Sequence, residues 1–337
     1  MMTKSRHWSS MLGILRRAAR TALIAVTLLV VPAVLAPLSA QAQSWLDNFE
    51  SYPLGSFPSP DWLASGNTAT SIVNSTYVSP TQSMQMFGVI GGCWAAVVHR
   101  QLTVAPPYTI QFFARNGNET LSGCHPLRAT AALSTGPSWT YPNRFLGLFA
   151  ANGDFLSNWP NVLTGPKFPL LSWVKVQMTY QVLNAKHVRI RYWLNGQYYK
   201  SATVAADSYE AQLAWLTLAS NEGTSWFDDV SVTSGLPALT STLLLSSPNP
   251  STYGESVTFT AMVSSKSGTP PDGETVYFMK GKTVLGTGTL SGGTATLTTS
   301  ALKVGTTKVK AVYLSDDAFP SNGFAGSNSN LVTQLVE

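Results

Sequence analysis

The chain has 337 residues, of which 11% are charged and 44% hydrophobic, with 21 Lys and Arg against 16 Asp and Glu. Residues 1–42 contain five basic residues and no acid, so the rest of the chain has 16 residues of each sign and no net charge. A neutral chain lacks the basic field with which proteins attract nucleic acid or anionic membranes. The charge balance therefore excludes nucleic acid as an expected partner.

Residues 1–42 have the features of an export signal. Basic residues come first, an apolar run follows from Thr21 to Ala36, and the small-x-small sequence Ala40-Gln41-Ala42 closes the segment. The apolar run is shorter than the roughly 20 residues of a membrane-spanning helix. We therefore expect a signal peptide over 1–42, a secreted or cell-surface protein, and no membrane span once the signal is removed.

The composition changes at Gly235-Leu236-Pro237. Every Trp and Arg that follows the signal lies before this point, and Thr, Ser, Val, Gly and Lys dominate after it. A chain of this length suits two domains. We predict a first domain over 43–235 and a second over 236–337.

The two cysteines of the chain, Cys93 and Cys124, both lie in the first domain. In an exported protein, an isolated pair predicts one disulfide. Such a bond would close a loop of about 30 residues and contribute about 3 kcal/mol. Two buried free thiols are the alternative interpretation.

Two segments of the first domain alternate between apolar and polar side chains, one from Ser172 to Val182 and one from His187 to Tyr199. Period-two alternation predicts strands with one buried face and one solvent-facing side. The dipeptide Asn195-Gly196 favours a tight hairpin turn, because both residues accept positive φ. Frequent Pro and Gly argue against long helices, so we expect an all-β fold.

The second domain contains several short strand-like segments. The strings SSPNPSTYGESVTFTAMV from Ser246, VLGTGTLSGGTATLTTSALKVGTTKVKAVYL from Val284 and NLVTQLV from Asn330 resemble bacterial immunoglobulin-like repeats. The resemblance implies a small immunoglobulin-like β-sandwich that acts as a spacer or stalk. Without cysteines, its core is expected to hold by apolar packing alone.

The first domain resembles the concanavalin A-like and laminin-G-like jelly rolls. The resemblance is carried by the alternation from Trp173 to Tyr180, by YWLNG from Tyr192, and by the string from Phe227 to Val230. It implies a jelly-roll β-sandwich whose opening segment, around Asn48-Phe49-Glu50, pairs with its final strand. The expected fold class is a jelly-roll β-sandwich followed by a smaller immunoglobulin-like β-sandwich.

The same resemblance implies a structural calcium ion, because several carbohydrate-binding jelly rolls hold one between such terminal segments. Glu50 and Asp229 would supply carboxylates, with Asn48 or Asp228 assisting, and calcium prefers oxygen ligands. Adjacent residues of a strand point to opposite faces, so at most one of Asp228 and Asp229 is expected to face inward. In the alternative interpretation, the two acids end a strand in solvent.

A sugar-binding face is the second candidate site. Trp173 and Lys175 share one side of the first alternating segment, and Arg189, Arg191 and Trp193 share one side of the second. Aromatic side chains combine an apolar body with a polar tip, which suits sugar rings. Alternatively, the tryptophans cap a core edge and the charges keep the outer face soluble.

No pair of acids has the spacing of a glucanase site, which needs two carboxyls about 5 Å apart. A polysaccharide lyase would instead recruit Tyr199, His99 and Arg100, and no catalytic residue is assigned. We predict a secreted protein of adhesion type that binds a polysaccharide or cell-surface glycan, with an immunoglobulin-like spacer. The alternatives are a polysaccharide lyase or glycoside hydrolase, and a purely structural surface protein.

Overall fold

The computed structural model describes residues 44–65, 70–90, 96–122, 127–138, 140, 142–157, 163–314 and 323–337. The predicted signal peptide and the predicted Cys93–Cys124 disulfide lie outside these residues and stay predictions. Within the described ranges, regular structure is β-strand apart from a 3₁₀ turn at Glu210–Gln212. No helix among them is long and apolar enough to cross a membrane.

The first domain is a jelly-roll sandwich of two antiparallel sheets. Its strands are β1 (Trp45–Asp47), β2 (Leu63–Ser65), β3 (Thr70–Val73), β4 (Ser83–Gly88), β5 (Ala96–Gln101), β6 (Tyr108–Asn116), β7 (Leu127–Ser134), β8 (Asn143–Ala150), β9 (Asp154–Ser157), β10 (Leu163–Lys167), β11 (Trp173–Asn184), β12 (His187–Leu194), β13 (Gln197–Ala205), β14 (Trp215–Ser220) and β15 (Gly223–Ser234). The first sheet has the order β13-β12-β11-β6-β15-β4-β3, with β1 also beside β15, and the second has the order β10-β9-β8-β7-β14-β5-β2.

One hydrophobic core lies between the two sheets. The predicted buried side of these strands is confirmed, because Val176 and Met178 of β11 and Tyr192 of β12 belong to this core. The prediction that the opposite side faces solvent is wrong for the middle of β11, where Gln177 and Thr179 are also buried. Leu216 and Leu218 of β14 contribute from the second sheet. The predicted hairpin also forms, with φ of 48° at Asn195 and 73° at Gly196. These backbone angles fit the tight turn that joins β12 to β13.

The opening and final strands of the first domain pair as predicted, with Asp47 opposite Val230. A bulge interrupts β15 between Asp228 and Ser231, and Asp229 has a φ of 47°. The extra residue breaks the alternation of the strand. Both Asp228 and Asp229 are buried, so the alternative in which the two acids end a strand in solvent is wrong.

The second domain is a smaller sandwich with its own core. Its strands are β16 (Thr240–Ser247), β17 (Val257–Ser265), β18 (Thr275–Lys280), β19 (Thr283–Thr289), β20 (Thr294–Thr299), β21 (Gly305–Tyr313), β22 (Ser327–Asn328) and β23 (Val332–Val336). One sheet has the order β16-β17-β20, and the other has the order β19-β18-β21-β22, with β23 also pairing β21. The core includes Leu244, Phe259, Phe278 and Tyr313, which agrees with an immunoglobulin-like domain held by apolar packing.

Residues 42–337 form one compact unit, and short contacts join its two sandwiches. The connecting segment is bonded on both sides: Gly235 N donates to the Pro107 carbonyl at 2.8 Å, and Ala238 N donates to the Gly323 carbonyl at 2.7 Å. The β12–β13 turn approaches the second domain so closely that a Cβ at Gly326 would collide with the carbonyl oxygen of Gly196. The connection is therefore tightly packed at this point.

Candidate functional site

The face of the first sheet that points away from the core, here called the outer face, carries a row of side chains across five strands. Gln177 of β11 lies opposite both Trp193 of β12 and Gln111 of β6. Tyr198 lies beyond Trp193, and Ser231 lies beyond Gln111. Since neighbouring strands are about 4.8 Å apart, this central row spans about 19 Å.

The central row buries polar atoms without giving them partners. Gln111 and Gln177 are each 2% exposed, and Trp193 is 1% exposed. Among the described residues, no hydrogen bond is made by Nε2 and Oε1 of Gln111, Nε2 of Gln177 or Nε1 of Trp193. A buried polar group without a partner costs about 1–3 kcal/mol, and such groups are rare in native proteins. These unpartnered atoms are clustered on one row of the sheet.

Cations and aromatic rings surround the central row. The Arg115 guanidinium lies 5.3 Å from the Trp226 ring, and Lys175 Nζ lies 5.8 Å from the Phe113 ring. On β12, Arg191 lies opposite Thr179, whose Oγ1 has no partner among the described residues. The outer face therefore offers positive charge, flat apolar rings and free hydrogen-bonding groups together.

The five predicted sugar-binding residues all lie on β11 and β12, namely Trp173, Lys175, Arg189, Arg191 and Trp193. Their neighbours in sequence, such as Tyr192 and Leu194, belong to the core, and Trp193 is not part of that core cluster. The two strands are direct neighbours, as expected. The outer face is less exposed than expected, because Gln111, Gln177 and Trp193 at its centre are buried.

Sequence reasoning missed the contribution of β6 and β15 to this face. Gln111, Phe113 and Arg115 occur at period two within β6, and this alternation was the available signal. The alternation could assign β6 to this face only once the pairing of β6 with β11 was known, because that pairing places Gln111 opposite Gln177. That pairing joins segments about sixty residues apart, and no turn or short loop specifies it.

One end of the central row opens into a cleft between the two domains. The cleft has a volume of about 420 Å³ and is lined by Arg191, Trp193 and Tyr198 of the first domain, and by Leu239, Thr240, Gly326, Ser327 and Asn328. The rings of Trp193 and Tyr198 are 5.6 Å apart in an edge-to-face arrangement. No carboxylate lines this cleft among the described residues.

The three acids of the predicted calcium site converge on the segment that joins β3 to β4. Glu50 accepts hydrogen bonds from Thr81 N at 3.0 Å and from Gln82 N at 2.8 Å. Asp228 accepts from Val78 N at 2.7 Å, and Asp229 accepts from the Ser79 hydroxyl. The structure thus brings Glu50 and Asp229 to one segment.

Burial raises the pKa of Asp228 to about 7 and raises the pKa of Asp229. Burial also opposes ionisation of Glu50, but the hydrogen bonds from Thr81 and Gln82 lower its pKa. Asn48 Oδ1 accepts a hydrogen bond from Glu50 N at 3.4 Å. These oxygens face N–H and O–H donors, and a calcium site needs six to eight oxygen ligands.

The described residues contain no group of three His, Cys, Asp or Glu side chains that could hold a metal ion. Glu50, Asp229 and Asn48 each accept a hydrogen bond from a backbone N–H or a hydroxyl group. These bonds account for the positions of the three side chains without a cation. Calcium stays a prediction from the sequence.

The residues considered for a lyase are not brought together. Tyr199 packs against the core, with its ring 6.5 Å from that of Phe155. His99 lies on β5 in the second sheet. Arg100 forms an ion pair with Asp47 at 2.5 Å. A catalytic group made of Tyr199, His99 and Arg100 is therefore not formed.

Residues 244–337 match the family model of the bacterial Ig-like domain (group 3). The second domain is therefore a bacterial immunoglobulin-like domain, as its sequence predicted. Comparison with curated proteins finds no match to the chain.

Several solved structures are similar to the first domain in shape. Alginate lyase Aly36B is 11% identical with a TM-score of 0.40, covering 56% of this chain and 96% of that chain. Endo-β-1,4-glucuronan lyase from the fungus Trichoderma reesei is 11% identical with a TM-score of 0.38, covering 57% and 95%. The CBM22-2 xylan-binding domain from Paenibacillus barcinonensis Xyn10C is 10% identical with a TM-score of 0.33, covering 57% and 99%. These likenesses are too distant to indicate a function for this chain.

Proposed function

We propose that this protein is exported and binds a polysaccharide along the outer face of its first sheet. The observation that carries the proposal is the central row, where the side chains of Gln111, Gln177 and Trp193 are buried with free hydrogen-bonding groups. Sugar hydroxyls donate and accept hydrogen bonds, so they complement an amide with both atoms free. The bound polymer would satisfy groups that the protein leaves unpaired.

The aromatic side chains suit the same ligand. Trp193 and Tyr198 lie at one end of the central row, and Phe113 and Trp226 lie on neighbouring strands of the same sheet. Aromatic rings supply apolar surface at low conformational cost, and the indole N–H adds a polar contact. A polymer of sugar rings presents both apolar ring faces and hydroxyl groups, and it can extend along a row of about 19 Å.

Binding is favoured over catalysis by the acids of the first sheet. Its described strands contain three acids, Asp47, Asp228 and Asp229. Each already accepts hydrogen bonds from protein groups, with Asp47 bound to Trp62 and Arg100. A retaining glycosidase needs two carboxyl groups about 5 Å apart, one of them free to donate a proton to the substrate.

The test measures polysaccharide affinity by isothermal titration for the full chain and for a Gln111→Leu/Gln177→Leu variant. Gln101→Leu, on the second sheet, is the matched control. The double variant is expected to bind at least about tenfold more weakly, because a loss of about 1.4 kcal/mol is tenfold in Kd. Equal binding by the double variant would contradict the proposal.

Two further outcomes distinguish the alternatives. Unsaturated products or new reducing ends in the same mixtures would favour a lyase or hydrolase. No binding to any of a broad panel of neutral and acidic polysaccharides would favour a structural surface protein and overturn the proposal.

A further inference from the structure

We propose that the immunoglobulin-like domain forms one wall of the binding site, and that the interdomain cleft takes a carboxylate-bearing sugar unit of an acidic polysaccharide. The inference rests on the proposed function, because the cleft continues the central row. It assigns the second domain a direct part in binding in place of a spacer role.

The cleft has the size and lining of a ligand site. Its volume of about 420 Å³ lies within the range of roughly 300–1,000 Å³ that is common for small-molecule sites. Arg191, Trp193 and Tyr198 form one side, and Leu239 and Asn328 belong to the other. Neither domain alone would enclose this space.

Trp193 provides the observation that points to a ligand. Its side chain is buried, it lines the cleft, and its Nε1–H has no acceptor among the described residues. Buried indole N–H groups usually find a partner. An oxygen atom of a ligand in the cleft would supply one.

The charge of the cleft selects the ligand class. Among the residues that line the cleft, Arg191 carries the charge. Arg191 takes part in none of the ion pairs between described residues. A guanidinium without a carboxylate partner binds an external carboxylate through charge-assisted, often bidentate hydrogen bonds. The exposed ring of Tyr198 lines the same cleft as Arg191 and is available for contact with the sugar.

The wall contributed by the second domain is held in place. Thr240 Oγ1 donates to the Ala325 carbonyl at 2.6 Å, and Ala325 N donates to the Ala238 carbonyl at 2.9 Å. Gly326, which lines the cleft, closely approaches the carbonyl oxygen of Gly196. A preformed wall reduces the ordering cost of binding.

The first variants change the second domain and leave the outer face intact. Leu239→Ser and Asn328→Ala alter the cleft wall, and Leu331→Ser is the control, since Leu239 and Leu331 are 62% and 57% exposed. Kd is measured in the full chain against polygalacturonate, polymannuronate and hyaluronan, each paired with its carboxyl-reduced neutral form. Melting temperatures of all variants establish that they are folded.

We expect Leu239→Ser and Asn328→Ala each to weaken binding of an acidic polymer about fivefold or more, and Leu331→Ser to bind like the parent protein. Arg191→Ala should remove the preference for the acidic form over its neutral counterpart. Unchanged binding by both wall variants would overturn the inference, and so would equal affinity for the acidic and neutral forms. If Gln111→Leu/Gln177→Leu still weakens binding in that case, the proposed function stands without the inference. If the parent protein binds no polysaccharide, both fail.

Discussion

Gln177 and Trp193 lie directly opposite each other in the β11–β12 pair, and the N–H groups of both side chains are buried without acceptors among the described residues. A buried unsatisfied group destabilises the fold, whereas an apolar replacement of similar shape removes that cost. We predict that Gln177→Leu raises the free energy of unfolding by about 1 kcal/mol while weakening polysaccharide binding. Urea unfolding and titration of the same preparation measure the two effects.

The matched control for this prediction is Gln82→Leu. Gln82 Nε2 donates to the carbonyls of Phe49 at 3.1 Å and Tyr52 at 3.3 Å. Its replacement is expected to lower the free energy of unfolding by about 1–2 kcal/mol, because both carbonyls lose a donor. If Gln177→Leu also destabilises the protein by that amount, the amide is satisfied in the free protein and the interpretation of the central row is wrong.

Asp47 is predicted to stabilise the junction of the opening and final strands. Its buried carboxylate accepts hydrogen bonds from Phe49 N at 2.9 Å, Tyr52 OH at 2.9 Å and Trp62 Nε1 at 2.8 Å, and it pairs with Arg100. Asp47→Ala would remove the acceptor of Phe49 N and Trp62 Nε1 and would leave the largely buried Arg100 guanidinium with only the more distant Asp61. We expect a loss of about 3–5 kcal/mol in the free energy of unfolding.

Asp61→Ala is the control for Asp47→Ala. Asp61 Oδ1 lies 4.0 Å from Arg100 Nη2, and its side chain is half exposed. An exposed pair contributes about 0–1 kcal/mol. Chemical unfolding of both variants checks the difference, and equal losses would show that Asp47 is not the group that holds the junction.

His99 is predicted to make stability depend on pH. Ser134 Oγ donates to the Gly136 carbonyl, so Thr217 donates to Ser134 and accepts from His99 Nδ1 at 2.9 Å, which leaves Nε2 to accept from Ser65. Burial lowers the pKa of His99 to about 4. The folded protein therefore holds this imidazole neutral.

A lowered pKa means that the unfolded chain binds the proton first. The contribution of His99 is therefore fully present above the pKa of 6.5 that an unperturbed histidine has, and it is lost as the pH falls towards about 4. We expect about 3 kcal/mol more loss of stability between about pH 7.5 and about pH 4 in the parent protein than in His99→Gln. Urea unfolding at both pH values measures this, and identical losses would contradict the assignment.

The calcium prediction for Glu50, Asp229 and Asn48 has a direct test. An ion bound only to the folded state raises its stability, so excess chelator should lower the melting temperature and added calcium should restore it. An Asn48→Ala/Asp229→Asn variant should be insensitive to both. An unchanged melting temperature in chelator, together with no calcium found by elemental analysis, would contradict the prediction of a bound calcium ion.

The predicted disulfide between Cys93 and Cys124 is tested by counting thiols in the denatured, unreduced protein. Ser220 of β14 lies opposite Ala96, the first residue of β5, and opposite Ala129, the third residue of β7. We expect no free thiol, and a lower melting temperature after reduction. Two free thiols would favour the alternative interpretation.

The local features of this protein could be read from its sequence. The alternation in β11 and β12 predicted these strands and their buried sides, and the Asn195-Gly196 turn predicted the hairpin of β12 with β13. The strings of the second domain predicted an immunoglobulin-like fold. These features depend on neighbouring residues, whose period and turn chemistry are set within a short segment.

The bulge at Asp229 shows where local reasoning ends. A regular strand would place Asp228 and Asp229 on opposite faces, but a positive φ at Asp229 lets both be buried beside Ser79. The bulge lies where β15 passes from its pairing with β4 to its pairing with β1. No residue near Asp229 predicts that β15 changes its neighbouring strand at this point.

The sequence by itself determined the two β-sandwiches, because alternation and turn residues act over a few positions. Only the tertiary structure decided that Gln111, Gln177 and Trp193 form one row, and that this row ends against Leu239 and Asn328 of the second domain. Strand pairing between distant segments and the docking of two domains depend on the packing of the whole chain. That packing collects the candidate ligand groups into one surface.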